Sequence, residues 1–221
     1  MKRKLIITED GSHSYYLPEM EETYHSIHGA ITESEHVFIK NGLAVISKQN
    51  INVFEIGFGS GLNALLCYAY ALRNSVEIDY QGIEKYPLQT KEYNNLNYPQ
   101  QLDFGNAQEV FENMHHLSWD KRQHVSSFFS LHKIQADALK FKFPEDWADL
   151  VLFDAFGPEK QSEIWKREMM EKMFRLCKRA GVLVTYSAKG QLRRDLKNCG
   201  FSIEKLPGPP GKREMSRAIK P

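Results

Sequence analysis

Two hydrophobic rhythms alternate along the chain. Val53, Phe54 and Ile56 form a short apolar run, which predicts a buried strand. Leu62, Leu65, Leu66, Ala69 and Leu72 follow at helical spacing, which predicts a helix packed back onto that strand. The alternation continues. Val76–Ile83 reads as a strand closing at Glu84, Pro87 as the opening of a helix, and Ala107–His116 as a helix inside a polar insertion spanning Leu96–Trp119. Further strands are expected around Phe128–Gln135, Leu150–Phe153, Val182–Tyr186, Phe201–Leu206 and Met215–Ile219. Ile164, Trp165, Met169, Met173, Phe174 and Cys177 predict an amphipathic helix ended by Gly181, and Gln191–Asn198 predicts another. Near the N-terminus, Lys4–Thr8 and Ser14–Leu17 flank Asp10-Gly11 as a hairpin. Thr32 and Glu35 form a capping-box pattern for a helix that ends near Asn41-Gly42.

Strands that alternate with helices imply a parallel sheet with right-handed crossovers. Only the loop Pro207-Gly-Pro-Pro-Gly211 joins the final two strands. That connection is too short for a crossover helix, so the last strand should run antiparallel. The expected architecture is an α/β, Rossmann-like fold: a seven-stranded, mostly parallel sheet with an antiparallel last strand. Residues 1–50 are expected to form a hairpin and lid segment packed on the main domain, residues 51–221.

Chemistry enters at the junction between the first long strand and its helix. Gly57, Gly59 and Gly61 are spaced two apart. Glycine accepts positive φ and lets a ligand approach the backbone. The turn opens a helix N-terminus, which favours negative charge. A dinucleotide fingerprint would need glycine at position 62, where Leu62 stands, and no Gly-Lys-Ser/Thr triplet marks a phosphate loop. The ligand should therefore lack a pyrophosphate. S-adenosylmethionine fits, with its carboxylate toward the turn and its cationic groups toward acids. Candidate contacts in the turn are Glu55, Gly57, Phe58, Gly59, Gly61 and Asn63.

In open α/β sheets, ligands lie beyond the carboxyl ends of the strands. Glu55, Glu84, Asp137 and Asp154 all fall at such ends. Glu84, beside Lys85, is placed to accept hydrogen bonds from ribose hydroxyls. Asp137 is placed to accept from the adenine amine, with Ala138 donating a backbone N–H; alternatively Asp137 is a helix N-cap. Asp154 opens Asp-Ala-Phe-Gly-Pro158. It can orient an amine toward a sulfonium methyl as well as contact the cofactor.

Composition adds limits. The net charge is +1, but residues 1–35 carry three Lys/Arg against seven Asp/Glu, and residues 186–221 carry nine against three. A basic C-terminal segment suggests a localised anionic partner. Cys67, Cys177 and Cys199 are odd in number and scattered, which suggests reduced thiols. His25, His28 and His36 bracket a glycine rather than sharing a helical face, so no metal is expected. No apolar run reaches bilayer length, and a cytoplasmic protein without membrane association is expected.

Four segments occur together and in order: Glu55-Ile-Gly-Phe-Gly-Ser-Gly-Leu-Asn63, Phe153-Asp-Ala-Phe-Gly-Pro-Glu-Lys160, Tyr186-Ser-Ala-Lys-Gly190 and Leu206-Pro-Gly-Pro-Pro-Gly-Lys-Arg-Glu-Met215. With them the chain resembles, from about Tyr16 to Ala218, the methyltransferase family of tRNA 5-methylaminomethyl-2-thiouridine biosynthesis, in its stand-alone form. The first segment is general to class I methyltransferases; the other three are more specific. The resemblance implies methylation of the aminomethyl nitrogen on a wobble uridine. It assigns Gly57, Gly59, Gly61, Glu84 and Asp137 to the cofactor, and Asp154 to the amine. It implies no FAD and no oxidase half after Pro221, so an upstream modification enzyme would supply the aminomethyl group. The implied partner is the tRNA anticodon loop. Lys189, Arg193, Lys212 and Arg213 are candidates for its phosphates. Tyr24, Phe156 and Tyr186 are candidate stacking platforms, with His25 in the adjoining segment. The rival readings are a small-molecule amine N-methyltransferase, an aminopropyltransferase, and a non-catalytic S-adenosylmethionine-binding partner.

Overall fold

The computed structural model describes residues 2–221. Its centre is an eight-stranded sheet. The strands are β4 (Asn50–Ile56), β5 (Glu77–Glu84), β6 (Arg122–Ser126), β7 (Phe129–Gln135), β8 (Ala148–Phe153), β9 (Cys177–Thr185), β10 (Ser202–Pro207) and β11 (Glu214–Ile219). Their spatial order is β10-β11-β9-β8-β4-β5-β7-β6. The five central strands are parallel, and β11 runs antiparallel to both β9 and β10, as the short connection predicted. The eighth strand, β6, pairs antiparallel with β7 and was not expected from the sequence. Arg122-Gln-His-Val-Ser126 lies at an edge and is largely polar, so it carries no apolar alternation to announce it.

The helices α2 (Leu62–Asn74), α5 (Ala107–His116) and α7 (Gly190–Asn198) stand where their periodicity placed them, while α6 (Arg167–Leu176) is shorter than expected: Ile164 and Trp165 fall in a separate 3₁₀ turn over Ser162–Trp165 and Cys177 in β9. Their apolar faces divide between two clusters. Leu62, Leu65 and Leu66 of α2 pack with Val53, Tyr80 and Leu152. Met169, Met173 and Leu176 of α6 pack with Phe54, Val151 and Leu183 in the other cluster.

Several boundaries differ from expectation. Helix α6 ends at Leu176, not at Gly181, because Cys177 is already extended and pairs with Ala148. Gly181 instead lies at a register shift within β9, where a Cβ would meet the Lys178 carbonyl oxygen at 2.7 Å. Pro87 precedes the next helix rather than opening it. Helix α3 (Thr90–Tyr93) starts after Gln89, whose N–H is bonded to Glu92 at 2.7 Å. A further short helix, α4 (Tyr98–Gln101), follows.

The N-terminal hairpin, β1 (Lys4–Ile7) with β2 (His13–Leu17), has the expected antiparallel pairing and gains a third strand, β3 (Glu22–Thr23). The next helix, α1 (Ala30–Ser34), begins before the expected capping box and runs on as a π-helical turn over Glu35–Lys40. Its cap comes from the hairpin. Asp10 accepts the Thr32 N–H at 2.9 Å and hydroxyl at 2.8 Å, and Ser12 Oγ accepts the Ala30 N–H at 3.0 Å. Against the opposing effect of its own burial, hydrogen bonds from the Ser12 hydroxyl, the Thr32 and Ser12 N–H groups and the Thr8 hydroxyl hold the Asp10 carboxyl at about 2. Cys67, Cys177 and Cys199 are free thiols, the first two buried. Among the described residues no helix is long and apolar enough to cross a membrane.

Candidate active site

The carboxyl ends of β8, β4, β5 and β7 are neighbours in the sheet, and they carry Asp154, Glu55, Glu84 and Asp137 in that order. All four acids line one cavity of about 360 Å³, a size suited to a small-molecule ligand. The glycine turn forms its floor. Gly57, Gly59 and Gly61 have φ of +92°, +49° and +75°, values that a side chain at Cβ disfavours. The Gly57 and Phe58 N–H groups both donate to Ile83 O, at 3.1 and 3.0 Å, which ties the turn to β5. A Cβ on Gly57 would stand 2.7 Å from the Asp154 carbonyl oxygen, so the turn and the end of β8 touch through backbone. The first α2 bond runs from the Leu65 N–H to Gly61 O, so the amides of residues 62–64 precede the helical ladder.

Each acid is held differently. Glu55 is buried and accepts from Tyr80 Oη at 2.7 Å and Asn63 Nδ2 at 2.8 Å; desolvation pushes its carboxyl well above the usual range. Glu84 accepts the Gly59 N–H at 3.0 Å and the Tyr86 N–H at 2.8 Å, so it braces the glycine turn. Asp137 pairs with Lys85 Nζ at 3.0 Å and accepts the N–H of Leu139 at 3.0 Å, closing a turn in its own loop. Lys85 and Ala138 line the same cavity. Asp154 accepts only from Asn63 Nδ2, at 2.8 Å, among the described side chains. Burial and the nearby Glu33 charge push its carboxyl up to about 7, against that hydrogen bond and the charge of Lys212.

Asn63 thus gives both amide hydrogens to carboxylates, and its buried carbonyl oxygen has no partner among the described residues. An orphaned acceptor among acids, above a turn that only small residues can form, fits a ligand that carries positive charge and amine donors. S-adenosylmethionine is such a ligand, and the residues present suit it. Glu55, Glu84, Asp137, Asp154 and the glycine turn would hold it.

The remaining expected residues divide into two groups. Tyr24, His25 and Phe156 line the cavity. Tyr24 meets Phe156 edge-on at 5.3 Å, and its hydroxyl accepts from Arg3 Nε at 2.8 Å. His25 Nε2 lies 2.8 Å from Ser60 Oγ, and burial lowers its pKa to about 4. Phe58 is also in the wall, with its ring against His115 and Trp119. Tyr186 donates its hydroxyl to Ala155 O at 2.8 Å, beside Asp154. The basic candidates are less free than the sequence suggested. Arg193 is a correction: its guanidinium is spent on Glu214, Ser216 Oγ and Met215 O at 2.7–2.9 Å, which joins α7 to β11. Lys212 points inward to Glu33 and Tyr186. Lys189 pairs with Glu159 at the surface. Arg213, with Ala188, Lys212 and Glu214, lines an open depression.

Sequence reasoning missed Ser60, Glu33 and His115. Ser60 sits in the glycine segment and could have been read there. His115 stacks on Tyr93 at 4.2 Å and approaches Ser60 O at 3.2 Å, and burial drives its pKa to about 3. Nothing in the polar insertion marked it. His28 pairs with Glu9, and His36 Nε2 meets Pro207 O.

Comparisons with known proteins fit this geometry. Residues 105–221 match a family model described as S-adenosyl-L-methionine-dependent methyltransferase. The chain is similar to the tRNA 5-methylaminomethyl-2-thiouridine biosynthesis bifunctional protein MnmC of Campylobacter hominis, 30% identical over 90% of this chain and 30% of that protein. It is 29% identical to the protein of the same name from Cupriavidus metallidurans, over 96% of this chain and 33% of the relative. The chain therefore spans about a third of the length of these relatives. Among solved structures, MnmC2 from Aquifex aeolicus shares the fold, with a TM-score of 0.79 at 24% identity over 98% of this chain and 69% of that one.

Proposed function

The chain belongs to the S-adenosyl-L-methionine-dependent methyltransferase family, and we propose that it methylates the aminomethyl nitrogen of 5-aminomethyl-(2-thio)uridine at the wobble position of tRNA. The names of its relatives support the substrate class. The observation that carries the chemistry is Asp154, a half-buried carboxylate just after β8 that opens on the cavity, whose pKa of about 7 suits a base at neutral pH. When bound, S-adenosylmethionine supplies an electrophilic methyl group.

The chain's own residues do the rest. The carboxylate of Asp154 accepts an N–H of the neutral amine, which aims the nitrogen lone pair into the cavity and takes up the proton released on methylation. Only the neutral amine has the lone pair that attacks, so the ammonium form of the substrate must first lose a proton. Tyr24 and Phe156 shield the reacting end from water. Lys189 and Arg213, near the Tyr186 side, are the proposed contacts to anticodon-loop phosphates. An exposed pair such as Lys189–Glu159 is exchanged for a phosphate at little cost. An upstream modification enzyme would make the aminomethyl group.

The test incubates the purified chain with S-adenosylmethionine and tRNA bearing 5-aminomethyluridine, followed by mass spectrometry of the nucleosides. Conversion to the methylaminomethyl form supports the reading. Transfer to free polyamines or small amines, with the tRNA unmodified, would replace it with the small-molecule alternative.

A further inference from the structure

Glu33 and Lys212 are two charged side chains that the methyl-transfer reading leaves without a task. Glu33 lies on α1 and is 6% exposed. It accepts the Ser26 N–H at 2.9 Å and pairs with Lys212 Nζ. Lys212 stands in the β10–β11 loop, 179 positions away, and its ammonium lies 3.9 Å from the centroid of the Tyr186 ring. The Tyr186 hydroxyl in turn donates to Ala155 O, the residue that follows Asp154.

We propose that Glu33 and Lys212 are positioning residues, which act through Tyr186 and through their opposed charges on the carboxylate of Asp154. This rests on Asp154 as the acid that meets the amine. The loop is built to deliver Lys212 to a fixed place. The Lys212 N–H donates to Pro209 O at 2.9 Å, and a Cβ on Gly208 would collide with the Lys212 carbonyl. Gly211 has a φ of +79° and packs where a Cβ would strike the His28 ring. His36 Nε2 lies 2.8 Å from Pro207 O, and Arg217 Nη1 donates to Asn41 O at 3.2 Å, which docks the loop on the N-terminal segment. A lysine serving only solvent phosphates would need neither a buried acid nor an aromatic face. An ion pair whose acid is buried, even with its lysine partly exposed, is also a poor source of stability once desolvation is counted. Placement of charge is what this pair offers.

The groups around Asp154 come from several elements: Glu55 on β4, Tyr80 on β5, Asn63 on α2, Tyr98 on α4, Tyr186 after β9, Glu33 on α1 and Lys212 in the loop. Of these, Glu33 and Lys212 are the partners with opposite effect: the acid favours protonation of Asp154 and the ammonium opposes it. Removing one member should therefore shift Asp154 in one direction, and removing the other should shift it back.

The experiment titrates the Asp154 carboxyl by carbon-13 NMR in the free protein, assigned with Asp154→Asn. Lys212→Met should raise the midpoint by about one pH unit, and Glu33→Gln should lower it by a similar amount. Lys212→Arg and the double variant Lys212→Met/Glu33→Gln should stay near the wild-type midpoint. If Lys212→Met does not fold, Glu33→Gln, which leaves the partly exposed Lys212 rather than a buried acid without its partner, carries the test by its downward shift. Single variants that leave the midpoint in place, or move it in the same direction, would overturn the proposal. The NMR readout involves no methyl transfer. Wild-type turnover by Asp154→Asn would sink the base role of Asp154, while the titrations alone decide the pair.

Discussion

Replacement of Glu84 by alanine is the sharpest probe of the cofactor site. In the free protein its two carboxylate oxygens accept the Gly59 and Tyr86 N–H groups, one each. Every carboxylate oxygen has a second lone pair. A ribose diol can therefore be bound without disturbing either amide. Glu84→Ala removes the ligand's acceptors, and a hydrogen bond to a charged group contributes about 1.5–3 kcal/mol. That corresponds to a loss of about 10- to 150-fold in S-adenosylmethionine affinity. It also frees the Gly59 amide in a turn of positive φ, so the unliganded variant should melt earlier. Titration calorimetry with S-adenosylmethionine and its demethylated product reads the first effect. A 2′,3′-dideoxy analogue separates the two effects: the wild type should bind it as weakly as Glu84→Ala binds the normal ligand, and the variant should not distinguish the two ligands. Unchanged affinity in Glu84→Ala, or an equal dideoxy penalty in both proteins, would refute the ribose assignment.

Asp154→Asn should lower single-turnover methyl transfer by about 10²- to 10⁴-fold while cofactor affinity measured by calorimetry stays close to wild type. Wild-type turnover should rise with pH through about 7, as the carboxyl becomes the base, and a pH–rate profile of the variant should lack that limb. His115 titrates at about 3 in the folded protein, well below an unfolded histidine. The unfolded chain therefore takes the proton first, and stability falls as pH drops from about 6.5 toward 3, by at most about 1.4 kcal/mol per unit. Urea unfolding across that range should show a shallower decline in His115→Phe; parallel curves would count against it. Arg193→Ala should cost about 2 kcal/mol of stability through its lost bonds to Glu214, Ser216 and Met215. Arg213→Ala should instead weaken tRNA binding and flatten its salt dependence with little change in melting. Filter binding and calorimetry decide whether the two arginines divide this way.

What the sequence displayed clearly was whatever depends on local pattern. The strand–glycine–helix junction at 53–72, the acids at strand ends and the antiparallel last strand follow from periodicity, glycine spacing and loop length, and all stand in the fold. What escaped depends on partners distant in the chain. The α1 cap is supplied by Asp10 and Ser12 from another element, so the Thr32–Glu35 pattern pointed to the wrong start. The basic C-terminal segment looked like a phosphate surface because charge can be counted without knowing its partners. Glu214, Glu33 and Glu204 in fact engage Arg193, Lys212 and Arg217. The edge strand β6 has too little apolar character to be visible at all.

The four strand-end acids show why one of them suits catalysis. Asp137 is partly exposed and bound to a lysine, which holds its proton affinity low. Glu84 is occupied by two backbone amides and serves the shape of the turn. Glu55 lines the cavity with its two oxygens engaged by Tyr80 and Asn63, and desolvation keeps it well above the usual carboxylate range. Asp154, half-buried, alone of the four combines a single neutral side-chain donor with an oxygen that has no partner among the described residues and access to the cavity. A group so placed changes charge near neutral pH, and the residues around it can tune where. A cationic ligand entering this cavity would meet two acids already committed to structure, one at its rim, and one still able to exchange a proton. The division of labour therefore arises from what each carboxylate is bonded to, since residue type and position at the sheet edge are nearly the same for all four.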